Sequence, residues 1–210
     1  MVSKFHIELI KQMFAIKIRM ERDTILSDFD FYVEDEQLIE SLNKLEKGNH
    51  IEIQSLGTER SYRLTLAGRN ELKVVLTGGA YDLLHTGHIK TLKEAAGFGN
   101  FLLVVVAKDE TVEGRKRKPI HSEVQRMKLL NEIEVVDLAV VGDRTDHMAI
   151  VRETKPDIIA IGSDQDHRIK ILSKQLIDEG LINTEILRLT SNLEGLSTSE
   201  VITEILERFV

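Results

Sequence analysis

The sequence predicts a doubly wound α/β domain built on a parallel sheet, preceded by a smaller α+β domain. Three observations predict this. Five short, β-branched apolar runs follow residue 71: "LKVVLT", "FLLVVVA", "VDLAVVG", "DIIAIG" and "EILRL". Runs so nearly unbroken belong to strands buried on both faces, as in a parallel sheet. Amphipathic segments starting near Thr86, Ser122, Asp146, His167 and Ser197 alternate with them, which makes right-handed strand–helix–strand units. Before residue 71 the rhythm is different, and the boundary is drawn there: residues 1–70 and 71–210.

In the first segment, Phe5, Ile7, Leu9, Ile10, Met13, Phe14, Ile16 and Ile18 fit a helix from Lys4 to about Arg19. "EDEQLIESLNKLEKG" puts Leu38, Ile39, Leu42 and Leu45 on one helical face and ends at Gly48, a suitable C-cap. "HIEIQSLGTERSYRLTLAG" then alternates: Ile51 and Ile53 on one arm, Tyr62, Leu64 and Leu66 on the other, with "LGTER" as the turn. Helices followed by a hairpin resemble a small winged helix. A DNA-reading role is opposed by charge. The helix before the hairpin carries Glu34, Asp35, Glu36, Glu40 and Glu46 against Lys44 and Lys47, and phosphates demand the reverse. Dimerisation or docking is the plainer role.

Composition narrows the function. The chain has 210 residues, 42% of them hydrophobic and 30% charged, with 13 Gly, 2 Pro and no Cys. Disulfides, thiolate metal sites and cysteine nucleophiles are excluded. No apolar run approaches the roughly 20 residues that span a bilayer, and "MVSKFHIELIKQMF" does not read as a secretory leader, so the expected compartment is the cytoplasm. The net charge of −7 argues against nucleic-acid coating and means that an anionic ligand must meet local positive charge.

The stretch with the most chemistry is "GGAYDLLHTGH", Gly78 to His88, at the carboxyl end of the first predicted strand of the α/β domain. Ligands of such sheets bind there, where strand order reverses. The stretch lacks both the G-x-G-x-x-G dinucleotide fingerprint and the G-K-[ST] ending of a Walker loop. It leaves a Gly78–Gly79 turn, then His85-Thr86-Gly87-His88 at a helix start. Unpaired N–H groups and the positive dipole end favour an anion there, and Gly87 permits close approach. Two rivals stand beside phosphate binding: a zinc pair, although helical zinc sites favour i, i+4 histidines with a third ligand, and a plain helix cap. Asp82 reads as a residue that braces the turn.

"GGAYDLLHTGHIKTLKEA" resembles the G-[TG]-F-D-x-x-H-x-G-H motif of the nucleotidyltransferase superfamily, and the resemblance runs from about residue 72 to the C-terminus. Two further stretches support it, "AKDETVEGRKRKPIHSEVQRMKLL" and "GLSTSEVITEI". Within the superfamily "VVVAKDETV", "RKPIHSEVQR", "VVGDRTDH" and "KPDIIAIGSDQ" are most similar to archaeal-type FAD synthetases, then to glycerol-3-phosphate cytidylyltransferases. The resemblance implies a Rossmann-like fold and transfer of AMP from ATP to FMN, releasing pyrophosphate. It further implies a homodimer; for that chemistry Mg²⁺, with most ligands from substrate and water, is the expected cation with no protein-held metal, and the lack of a spanning run means no membrane is expected. His85, His88, Lys118 and Arg126 would be catalytic, with Lys116, Lys118 and Arg126 holding phosphate. Gly79, Ala80, Tyr81, Gly87, Asp164, Ser197 and Thr198 would join the histidines around the nucleotide. The motif's usual Thr and Phe are Ala80 and Tyr81 here, so a threonine hydroxyl contact is lost.

Plainer roles accompany some of these residues. "RKRK" at 115–118 also suits a solvated loop or a nucleic-acid patch, "STSE" at 197–200 is also a capping box, and Asp164 also suits a helix N-cap. The alternatives to FMN adenylylation are a CTP-dependent cytidylyltransferase and a nucleotide-sensing regulator that binds DNA.

Overall fold

The computed structural model describes residues 2–30, 35–56, 59–114, 117–162, 166–190 and 198–209. The chain divides into two compact units, Met1–Leu72 and Lys73–Val210.

In the first unit, α1 (Lys4–Met20) is N-capped by Ser3, whose hydroxyl accepts from the His6 amide at 3.2 Å. Its buried residues Leu9, Ile10, Met13, Phe14 and Ile18 form one helical stripe, and α2 (Asp35–Lys47) adds Leu38, Leu42 and Leu45 to the core. Strands β1 (Thr24–Ile25), β2 (Ile51–Leu56) and β3 (Glu59–Leu64) form an antiparallel sheet in the order β1-β3-β2. The alternation expected to run through Leu66 stops at Leu64. Thr65 instead accepts the Gly68 amide at 3.1 Å and caps the short helix α3 (Leu66–Asn70), which leaves Leu66 exposed. A local cap bond outweighs a period-two pattern at its last position.

The second unit runs β4 (Val74–Gly79), α4 (Thr86–Ala96), β5 (Phe101–Val106), α5 (Asp109–Glu113), α6 (Glu123–Asn131), β6 (Leu138–Val141), α7 (Ala149–Thr154), β7 (Ile158–Ile161), α8 (Asp166–Asp178), β8 (Glu185–Arg188) and α9 (Thr198–Phe209). The five strands are parallel, in the order β6-β5-β4-β7-β8. This is the doubly wound sheet that the apolar runs predict. Helix α5, a single short turn of "DETVE", carries too little periodicity to be seen in the sequence.

Register is set at the amino ends of the strands. Asp157, just before β7, accepts the Val74 amide of β4 at 2.7 Å, and Asp137, just before β6, accepts the Leu102 amide of β5 at 2.7 Å. Each carboxylate meets an N–H that the parallel ladder leaves over. The sheet core is aliphatic, with Val75, Leu102, Val104 and Ala160 almost wholly buried. The chain builds outward from β4 to β6, then returns to place β7 on the other side of β4. Strand order therefore reverses between β4 and β7, which opens a crevice at their carboxyl ends. Among the described residues no helix is long and apolar enough to cross a membrane.

Gly99 packs on the start of β4. A Cβ there would fall inside van der Waals contact of the Lys73 carbonyl oxygen and 2.7 Å from Val75 Cγ2. Gly99→Ala should therefore destabilise the second unit by about 1–3 kcal/mol, read as a lowered urea midpoint at unchanged slope.

Candidate functional site

The loop leaving β4 lies at the order reversal, and its shape departs from the expected glycine turn. Gly78 and Gly79 are the last residues of β4, still paired with Val105 and Val106. They permit close approach. A Cβ on Gly79 would lie 2.9 Å from the Tyr81 ring, so a side chain there would collide with the aromatic group folded back over it. The left-handed residue is Tyr81 itself, at φ 50°, a conformation that costs a non-glycine residue energy unless its surroundings hold it.

Those surroundings are specific. The Tyr81 ring is buried and its hydroxyl meets that of Thr77, whose own O–H donates to the Ala160 carbonyl at 2.9 Å. Burial pushes the Tyr81 phenol up to about 12, with the Thr77 bond opposing, so it is neutral. On its other side the ring packs against His88, centroids 5.3 Å apart.

His85 is the N-cap residue of α4 and His88 lies in its first turn. The two imidazoles stack with centroids 3.9 Å apart and planes 29° from parallel. The His85 side chain makes no capping bond, which removes the plain-cap role. The Nδ1 atoms of both rings are buried and have no hydrogen-bond partner. Buried polar atoms are nearly always satisfied, so a pair of unmet ones at a helix start points to a ligand. Burial lowers the pKa of both rings. It takes His88 from 6.5 to about 4, with the neighbouring His85 adding to the effect and a bond to the Leu83 backbone opposing it. For His85 the charge of Glu200, in the first turn of α9, opposes the burial. That electrostatic link brings the start of the last helix, where Thr198 also lies, towards the histidine pair.

The basic stretch reaches the same loop through Asp82. This carboxylate is 3% exposed and accepts the Ile120 amide at 2.9 Å, the His121 amide at 2.9 Å and the Arg117 guanidinium at 2.8 Å. Desolvation alone would raise its pKa; the two amides and Arg117 together outweigh it and hold the carboxyl below the usual range. Asp82 thus braces the turn as expected, and it also fixes the segment that carries Lys118, which is exposed.

Arg126 has surroundings unlike those expected of a phosphate-facing cation. It is fully buried. Its Nε donates to the His121 carbonyl at 3.0 Å, one terminal nitrogen to the Ala80 carbonyl, and the other to the Ala107 carbonyl at 2.8 Å and Asp109 Oδ1 at 2.6 Å. These bonds engage four of its five N–H groups. Lys116, Asp164 and Ser197 lie outside the described residues. Sequence reasoning missed Arg117 as the partner of Asp82; its signal was an acid in the motif turn facing an over-supplied basic run.

Residues 76–204 match the family model described as cytidylyltransferase-like. The chain belongs to the cytidylyltransferase-like family. Among curated members, it is 40% identical over 139 residues to the FAD synthase of Thermococcus sibiricus, spanning 64% of this chain and 93% of that protein. It is 39% identical over 148 residues to the FAD synthase of Pyrococcus abyssi, spanning 69% and 99%. A crystal structure described as a lipopolysaccharide core biosynthesis protein from Thermoplasma volcanium aligns with a TM-score of 0.55 at 38% identity, covering 58% of this chain and 99% of that one. The cytidylyltransferase-like domain thus lies within the second unit.

The low folded-state pKa of His88 has a consequence for stability. The unfolded chain binds that proton more readily, so the contribution is absent above about pH 6.5 and stability falls as pH drops towards about 4. In urea titrations at about pH 7 and about pH 5, His88→Asn should lose less stability between the two than the wild type does.

Proposed function

We propose that the chain is an FAD synthase, a nucleotidyltransferase that moves AMP from ATP to the phosphate of FMN and releases pyrophosphate. The observation that carries this reading is the stacked histidine pair with its two unmet ring nitrogens, at the start of α4 and at the order reversal of the sheet. The named relatives, which this chain covers almost end to end, supply the substrates.

In this reading a phosphate oxygen of FMN attacks the α-phosphorus in line, and the protein contributes position and charge stabilisation instead of a nucleophile. Neutral His85 and His88 donate ring N–H groups to phosphate oxygens as charge develops. Gly79, Ala80, Tyr81 and Gly87 shape the nucleotide's seat. Lys118, with Lys116, draws in the triphosphate, and Thr198 with Ser197 meets a phosphate at the start of α9. Asp164 is assigned to the ribose or the base.

Among the described residues no three His, Asp or Glu side chains group to hold a metal ion. We assign the divalent cation to Mg²⁺ arriving with ATP, since Mg²⁺ takes most of its ligands from phosphates and water. Bound so, it would neutralise triphosphate charge. For the first unit we infer a winged-helix-like docking module: α1 and α2 precede the β2–β3 hairpin, which β1 extends into a sheet of order β1-β3-β2, and the acidity of α2 disfavours DNA. A cytoplasmic homodimer completes the reading.

Incubating the protein with FMN, ATP and Mg²⁺ should yield FAD and equimolar pyrophosphate. Turnover with CTP instead of ATP, or no FAD at high enzyme concentration, would overturn the assignment. His88→Ala should lower kcat by about 10²–10³-fold while the far-UV circular dichroism stays that of the wild type.

A further inference from the structure

We propose that Asp82 and Arg126 act as a positioning clamp that holds the histidine pair and the basic segment in one arrangement, with Arg126 acting through backbone carbonyls and not on phosphate. The inference rests on the proposed reaction for its kinetics, but its geometry stands apart from that.

The two charged side chains grip the same pair of segments from opposite directions. Asp82 belongs to the loop after β4 and takes two amides of the 120–121 segment. Arg126 belongs to α6 and donates to a carbonyl in each: Ala80 in the loop and His121 in the segment. The His121 ring closes the pairing, its Nδ1 lying 2.9 Å from the Asp82 carbonyl. Between the two gripped points sits Tyr81 in its left-handed conformation. Its ring supports His88, and His88 stacks on His85. A shift of the Ala80 carbonyl is thereby passed to the imidazoles through one aromatic ring.

A guanidinium suits this task and an ammonium does not. Its planar fork directs several N–H groups at fixed angles, so one side chain reaches three carbonyls and a carboxylate together. Full burial of the charge is tolerated because those acceptors replace water. Direct phosphate binding would ask for the opposite, donors left open towards the crevice.

The test is Arg126→Lys, which keeps the charge and removes the fork. Histidine ring signals are recorded by NMR in the nucleotide-free protein and assigned with His85→Gln and His88→Gln. The expected result is displaced His85 and His88 signals, with kcat for FAD formation lowered about 100-fold, as misplacement of catalytic groups by about 1 Å does. KM for ATP should move by less than about 3-fold, because the loss concerns placement and not ground-state binding. Ring signals that coincide with the wild type, or a loss carried wholly by KM for ATP, would overturn the clamp. Should Arg126→Lys not fold, the same ring signals and kinetic split on Asp82→Asn decide. If the wild type makes no FAD, the proposed reaction fails, while the nucleotide-free ring signals still judge the clamp.

Discussion

A guanidinium taken wholly out of water must have its N–H groups met by the protein, and that requirement organises the carboxyl end of this sheet. The acceptors around Arg126 come from the loop after β4, the end of β5, the start of α5 and the turn before α6. Three stretches, around residues 80, 107–109 and 121, are held at one point because leaving a donor unmet in the interior is costly. Asp82 imposes the complementary requirement with its buried carboxylate. The loop between β4 and α4 is therefore bounded by charge on both sides, and the strained backbone of Tyr81 persists because its neighbours leave it no cheaper shape.

The electrostatics of the site follow from a separation of roles. A chain of net charge −7 cannot attract an anion by its overall field, so attraction has to be local. Cations already engaged in the fold, Arg126 with Asp109 and Arg117 with Asp82, shape the loops. In the proposed reaction, imidazoles kept neutral by burial and the amide dipoles of α4 would present donors without bringing a fixed charge. Such donors cost little to bury and strengthen as negative charge grows on a ligand. Glu200 near His85 tempers the same spot and ties the last helix to it electrostatically.

Local patterns made much of the molecule legible. Near-unbroken β-branched runs such as "FLLVVV" and "DIIAI" announced buried parallel strands, and the stripe from Leu9 to Ile18 announced α1. The motif "HTGH" announced the start of α4, where the two imidazoles stack. Where reading failed, a bond or contact between distant residues had taken over. Leu66 kept the alternation of a strand, yet a cap bond from Thr65 had already turned the chain. The two glycines read as a turn, but both stay in β4, and Tyr81, packed over Gly79, takes the left-handed conformation two residues on. Helix α5 was too short to leave a period.

Periodicity by itself determined the five parallel strands, the longer helices between them and the class of sheet, and the motif placed two histidines at the start of a helix beyond its first strand, because backbone geometry and apolar burial are written in near neighbours. The tertiary structure decided which cations face outward and which are buried as braces. Arg117, Lys118 and Arg126 are alike as letters, and only the carboxylates and carbonyls brought around them by folding distinguish a clamp from a surface charge.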